Sequence, residues 1–212
     1  TDNIQEVPAV VNSLDEQSLQ SKTAAAGDAS YDTLQAAVNA AEEGSTVTLM
    51  EDTEETVTVT KKLILDLNGH TLTGTLSVET DAAADVTIKG GTITGGTSSG
   101  IQVEGAVNLT VEDCIITENE AVNGAGIYIS GAAQVTIVGT EITNNVASAN
   151  GGGIYQSTLG EKSNSCIIKN GTVISGNEAM SGGGVALGAA NFETYKSTST
   201  FTMESGVITN NH

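Results

Sequence analysis

Two carboxylates, Glu79 and Glu104, follow the similar triplets Leu-Ser-Val (76–78) and Ile-Gln-Val (101–103). Paired carboxylates hydrolyse glycosidic bonds when they stand about 5 Å apart for retention or about 6.5–9.5 Å apart for inversion. The matching positions in later copies are Ser130 and Ser157, so nothing supplies a third catalytic group. The plain alternative is two solvated acids that repel each other. Tyr128 and Tyr155 follow Ile127 and Ile154 in the same way. With the nearby Gln102 and Gln156 they are ligand-binding candidates: an outward platform for sugar rings, or an aromatic pair that only stabilises a sheet.

Other groups lead to blander readings. Thr110, Thr136 and Thr202 form one column and Thr117, Thr143, Ser175 and Thr209 another. Regular outward threonines can bind ice, but Ile167 interrupts the first column, and threonine is simply a good exposed strand residue. His70 and His212 are isolated, so no metal centre is expected, and no residue pattern calls for a cofactor. Cys114 and Cys166 should sit two coils apart, about 9–10 Å, beyond disulfide reach. Both are expected to act as small core hydrophobes.

The elements that carry these residues repeat. ITENEAVNGAGI (116–127), ITNNVASANGGGI (142–154) and ISGNEAMSGGGV (174–185) share Ile-Thr/Ser-x-Asn-x-Ala followed by a glycine-rich triplet, and ITNNH begins a further copy at Ile208. Alternating triplets VTI (86–88), LTV (109–111), VTI (135–137), CII (166–168) and FTM (201–203) lie between them. A third set, LSV, IQV, IYI, IYQ and VAL, follows or precedes the glycines. Successive central isoleucines (93, 116, 142, 174, 208) are 23, 26, 32 and 34 residues apart, while the strands keep their character. Only one corner grows, from eight residues (Ile101 to Leu109) to 12 (Ile154 to Cys166) and 16 (Val185 to Phe201). Repeats of this size that cannot bury their apolar side alone, with insertions confined to one corner, indicate a solenoid.

The expected fold is therefore all-β: a single-stranded right-handed parallel β-helix with three short strands per coil. Stacking brings Asn119, Asn145, Asn177 and Asn211 into one structural ladder in which amides bond to one another and to the turn. Ala121, Ala147 and Ala179 fit the crowded corner beside it. The glycines permit positive φ and close approach where the chain turns. Lys89–Glu112 and Lys169–Glu204 are expected as opposite charges on neighbouring coils. Residues 1–29 read as an acidic polar leader or linker, 30–46 as a capping helix started by Ser30 or Asp32 and ended by Gly44, and 47–212 as the β-helix. The interrupted last repeat leads us to expect a protein that continues past residue 212.

Composition narrows the partners. The chain carries 26 Asp and Glu against seven Lys and no Arg, a net charge of −19, with 3% aromatics and no Trp. That balance excludes nucleic acid, whose phosphates require a basic surface, and anionic membranes. No apolar run is long enough to span a bilayer, so no membrane insertion is expected in this segment.

The Gly-Gly-Gly-Ile/Val and Ile-Thr/Ser-x-Asn strings resemble the repeats of polymorphic outer-membrane proteins and related bacterial β-helix adhesins. Ile142 and Ile174 stand where those repeats usually carry Phe. The helix followed by LDLNGHTLTG (65–74) is similar to the entry of large Gram-positive surface proteins of pectin-lyase-like fold. The resemblance covers residues 30–212. It implies a secreted or cell-surface location and a non-catalytic role in adhesion or rigid presentation. The partner would be a host or bacterial surface glycan or protein, met by a monomeric segment through corner loops 155–165 and 188–200. The alternative is a carbohydrate-active enzyme, hydrolase or lyase. Lyases of this fold need a base and cations to steady an acidic sugar, and this chain has no Arg and only scattered lysines.

Overall fold

The computed structural model describes residues 22–158, 162–189 and 197–212. Strands of successive coils pair in parallel, so each residue meets its counterpart one coil later. Alternation then sorts the side chains, because successive residues of a strand face opposite ways. Val57, Leu76, Ile101, Ile127, Ile154 and Val185 form one inward column. Leu63, Val86, Leu109, Val135, Cys166 and Phe201 form a second. Leu72, Ile93, Ile116, Ile142, Ile174 and Ile208 form a third on the opposite wall. In the middle coils these side chains are fully buried. Each such Leu, Ile or Val contributes roughly 1.5–3 kcal/mol relative to exposure. A column of aliphatics thus replaces the aromatic centre of an ordinary globular core.

The strands form three sheets. The first is 13-stranded and includes both the strands that follow the glycines and those that follow the corner. The second is seven-stranded and runs through Ile115–Thr117, Glu141–Thr143 and Thr172–Ser175. The third is three-stranded: Glu120–Asn123, Val146–Asn150 and Glu178–Ser181. The expected β-helix with its three stacked sheets is what the chain forms, and two details add to it. Leu76–Lys89 and Ile101–Glu112 run unbroken for 14 and 12 residues, crossing the corner through an irregularity between Gly105 and Val107. The residues after three of the ladder asparagines, Glu120–Asn123, Val146–Asn150 and Glu178–Ser181, form an additional short strand in each coil.

The first coil is covered by a helix, Leu34–Ala40, shorter than the 30–46 expected. Its N-cap is Thr33, whose hydroxyl accepts from the Ala36 N–H at 3.1 Å, and it ends at Ala41 rather than Gly44. Seven residues are too few for a helix to stand alone, and the first coil pins this one. The Glu55 carboxylate accepts from the Leu34 and Gln35 N–H groups at 2.7 and 3.1 Å. The Gln35 side-chain amide pairs with the Thr58 backbone, donating at 3.0 Å and accepting at 2.7 Å, as an added strand would. Lys61 donates to the carbonyls of Asn39 and Ala41 at 2.9 and 2.6 Å. Part of the expected leader also joins the cap: Ala24–Ala26 and Ala29–Tyr31 form an antiparallel hairpin paired to Thr46–Leu49. Residues 1–21 lie outside the described residues.

Two turn positions show why glycine recurs. Gly151 has φ of +63°, open to glycine at little cost. A Cβ on Gly153 would stand 2.5 Å from the Gly184 carbonyl oxygen and 2.9 Å from Ile174 Cγ2. The charge column also differs in detail: Lys89 reaches back to Asp66 at 3.1 Å instead of forward to Glu112, and Lys169 meets Glu204 at 3.9 Å. Both neighbours of Lys89 in its column are acidic, so register alone leaves that choice open.

Candidate functional site

The interior face of the turns is set by the asparagines. Asn119, Asn145 and Asn177 are fully buried. Each Nδ2 donates to the next Oδ1 at 2.9 Å, from Asn119 through Asn145 and Asn177 to Asn211. Each also donates to a strand carbonyl one coil back: Ile93, Ile116, Ile142 and Ile174. Each of the three later Oδ1 atoms accepts a second bond from the backbone N–H of the preceding Asn. Amide and turn are thereby locked coil by coil. A second buried column lies at the next corner, where Cys114, Thr140 and Thr172 stand in line. Thr140 Oγ accepts from the Cys114 N–H at 3.3 Å, and the Thr172 hydroxyl donates to the Ile137 carbonyl at 3.3 Å. Nothing in the apolar pattern signals this column, because Thr is equally common on outer faces.

On the outer face of the first sheet, Ser77, Gln102, Tyr128, Tyr155 and Ala186 occupy matched positions. The two tyrosine rings are 5.8 Å apart and inclined by 34°. The Ser77 hydroxyl and Gln102 Oε1 stand 3.5 Å apart. Tyr155 lies across Gly188, leaving no room there for a side chain. Gln156 does not join this face. It points inward beside Ile129 and Leu187 and is fully buried. Its Nε2 donates to Asn164 Oδ1 at 3.2 Å and the Thr200 carbonyl at 3.3 Å, while its Oε1 has no partner among the described residues. Parity outweighs polarity here: the strand that turns Ile154 inward must turn Gln156 the same way. The strand Ile154–Thr158 also takes in part of the expected 155–165 loop. Residues 159–161 and 190–196 of the two corner loops lie outside the described residues.

Glu79 and Glu104 are register partners in adjacent coils, both exposed. They line an open groove of about 550 Å³ with Asp81, Thr60 and Lys162. Among the described residues no donor holds either carboxylate, whereas Asp85 nearby accepts from Asn108 at 3.0 Å and Lys62 at 3.1 Å. The Asn108 bond, and then Lys62, lower the Asp85 pKa below the usual range. Burial raises the Cys114 thiol to about 11 and the Cys166 thiol to about 12, and both cysteines are free. His70 Nδ1 lies 3.4 Å from Asp52, and the described residues contain no group of three or more His, Cys, Asp or Glu placed to hold a metal. No helix among them is long and apolar enough to cross a membrane.

A smaller groove of about 250 Å³ lies where the first and third sheets meet, between Gln102 and Tyr128 on one side and Val122 and Asn123 on the other. Sequence reasoning found the first pair and missed the second. The only available signal was the repeat of a short stretch of small and polar residues directly after the ladder residues Asn119, Asn145 and Asn177.

No curated protein and no solved structure gives a significant match to the chain. The family model described as "Right handed beta helix region" matches residues 54–212, which takes in the parallel strand stacking except the first strand, Thr46–Leu49. That stretch is three quarters of the chain, and the parallel register found along it is the architecture the description names, so the chain belongs to the right-handed β-helix family.

Proposed function

We propose that this β-helix is a non-catalytic module of a secreted bacterial cell-surface protein, serving adhesion by presenting rigid faces to a partner. The observation that carries the reading is a contrast in how side chains are held. The ladder asparagines are fixed by several bonds each, and Tyr128 and Tyr155 brace one another on the outer face. Glu79 and Glu104 stand in solvent with no group among the described residues to orient them. Catalytic carboxylates need positioning and unequal surroundings to act as acid and base. A net charge of −19 also keeps such a module soluble and unassociated.

The test is attachment of protein-coated beads to bacterial and epithelial cells under flow. Retention lost in a Tyr128→Ala/Tyr155→Ala double variant supports the reading; equal retention by wild type and uncoated beads defeats it. A second reading, a polysaccharide hydrolase, is favoured by the about 550 Å³ groove between Glu79 and Glu104. Release of reducing ends from any polysaccharide, abolished by Glu104→Gln, would establish that reading instead.

A further inference from the structure

The corner between the first and third sheets combines three properties found together nowhere else among the described grooves. Its lining is uncharged, in a chain with 26 acidic residues: Thr97, Gln102, Val122, Asn123 and Tyr128 contribute hydroxyl, amide, aliphatic and aromatic groups. The larger groove, by contrast, carries Glu79, Asp81, Glu104 and Lys162. Its donors are also aimed by neighbours. The Asn150 side chain donates to Asn123 Oδ1 at 2.8 Å, which fixes the Asn123 amide and leaves its N–H groups to donate. Ser77 caps Gln102 Oε1 from the other side at 3.5 Å, again leaving the NH2 group. Finally, the Tyr128 ring is backed by Tyr155 at 5.8 Å, so its position is set before any partner arrives. Val122, 64% exposed, supplies the apolar floor opposite.

We infer that this corner binds an uncharged saccharide. A pyranose offers an apolar C–H face and an edge of hydroxyls. The first suits an aromatic ring and the second suits amide and hydroxyl groups that both donate and accept. An anionic sugar would meet the field of a strongly acidic protein with no cation in the groove. A basic peptide would find its complement at Glu79, Asp81 and Glu104, on another part of the surface. Because successive coils stack in register, a chain-like ligand can run along the helix axis from Thr97 in one coil to Asn123 in the next. The inference deepens the adhesion reading and rests on it, naming the ligand class and adding Thr97 and Asn123 to the contact surface, with Asn150 positioning Asn123.

The experiment is an NMR titration of the full 212-residue chain, following the side-chain amides of Gln102 and Asn123. The probes are cellohexaose, mannohexaose and N-acetylchitohexaose (neutral), hexagalacturonate (anionic) and hexalysine (cationic). At least one neutral hexasaccharide should move both amides, with an affinity indifferent to added salt. Tyr128→Ala should weaken that binding about tenfold, the scale of one lost aromatic contact. Gln102→Ala and Asn123→Ala, which leave the aromatic pair intact, should each weaken it severalfold while core amide shifts stay put. No response to any neutral probe overturns the assignment, as does preferential binding of hexagalacturonate or hexalysine, or full affinity in all three variants. Beads that hold cells while no saccharide binds would sink the ligand class and leave adhesion standing; saccharide binding without bead retention would do the reverse.

Discussion

Replacing Asn145 with Ala removes the middle of the ladder, and its consequences can be worked bond by bond. Four hydrogen bonds disappear: Nδ2 to the Ile116 carbonyl (3.0 Å), Nδ2 to Asn177 Oδ1 (2.9 Å), and those accepted from the Asn119 N–H (3.1 Å) and Asn119 Nδ2 (2.9 Å). The losses are unequal. Asn177 Oδ1 still accepts from the Asn145 backbone, and Asn119 Nδ2 still donates to the Ile93 and Thr117 carbonyls. The Asn119 N–H keeps nothing, and Asn119 is fully buried. One orphaned buried donor costs about 1–3 kcal/mol, and the void left by the amide adds to it. The expected destabilisation is about 3 kcal/mol. Thr143→Ala provides the comparison, since it removes one half-buried hydroxyl contact of 3.3 Å to Thr117 and should cost under about 1 kcal/mol. Urea unfolding followed by circular dichroism gives both values, provided the slope with denaturant is unchanged. Amide exchange then shows whether the loss centres on the coils holding Asn119 and Asn145. If Asn145→Ala costs no more than Thr143→Ala, the ladder does not stabilise this fold and the account of the turns is wrong.

Three further outcomes are expected. Glu55→Ala removes the acceptor of two helix N–H groups; it should cost about 1–2 kcal/mol and accelerate exchange at Leu34–Ala40 before the middle coils, and uniform exchange would contradict a pinned cap. Gln156→Leu should stabilise by about 1 kcal/mol, because it places an aliphatic between Ile129 and Leu187 and removes a buried oxygen that has no partner among the described residues; a loss in the urea midpoint would show that the bonds to Asn164 and Thr200 matter more. Cys166, raised from 9.0 to about 12 by burial, holds its proton in the fold beyond the point where the unfolded thiol ionises. Its contribution is intact below about pH 9 and lost as pH rises from 9 toward 12; Cys166→Ala should flatten that alkaline decline, and an unaltered decline would refute it.

Much of the architecture is legible in the chain, and the parts that are not share a cause. Period-2 triplets at a drifting spacing can bury their apolar side only against copies of themselves, so the solenoid, its inward isoleucines and the pairing of Glu79 with Glu104 follow from residue order. Gln156 was legible too, since parity with Ile154 places it inward, but its polarity points the other way. The third sheet offers no such handle: Glu120–Asn123, Val146–Asn150 and Glu178–Ser181 lack an apolar alternation, and small and polar residues there pair because the ladder before them and the glycines after them leave the backbone no other course.

The amino-acid order by itself thus determines the column: aliphatic triplets demand stacking, and glycine and asparagine at fixed offsets set where the chain bends. Tertiary structure alone decides what the column offers to others. Val122 and Asn123 come to face Gln102 and Tyr128 only when two sheets meet across a turn, and Lys89 chooses Asp66 over Glu112 only when both neighbours are in place. Local preference acts within a strand, whereas these juxtapositions depend on distances between coils that exist only after packing.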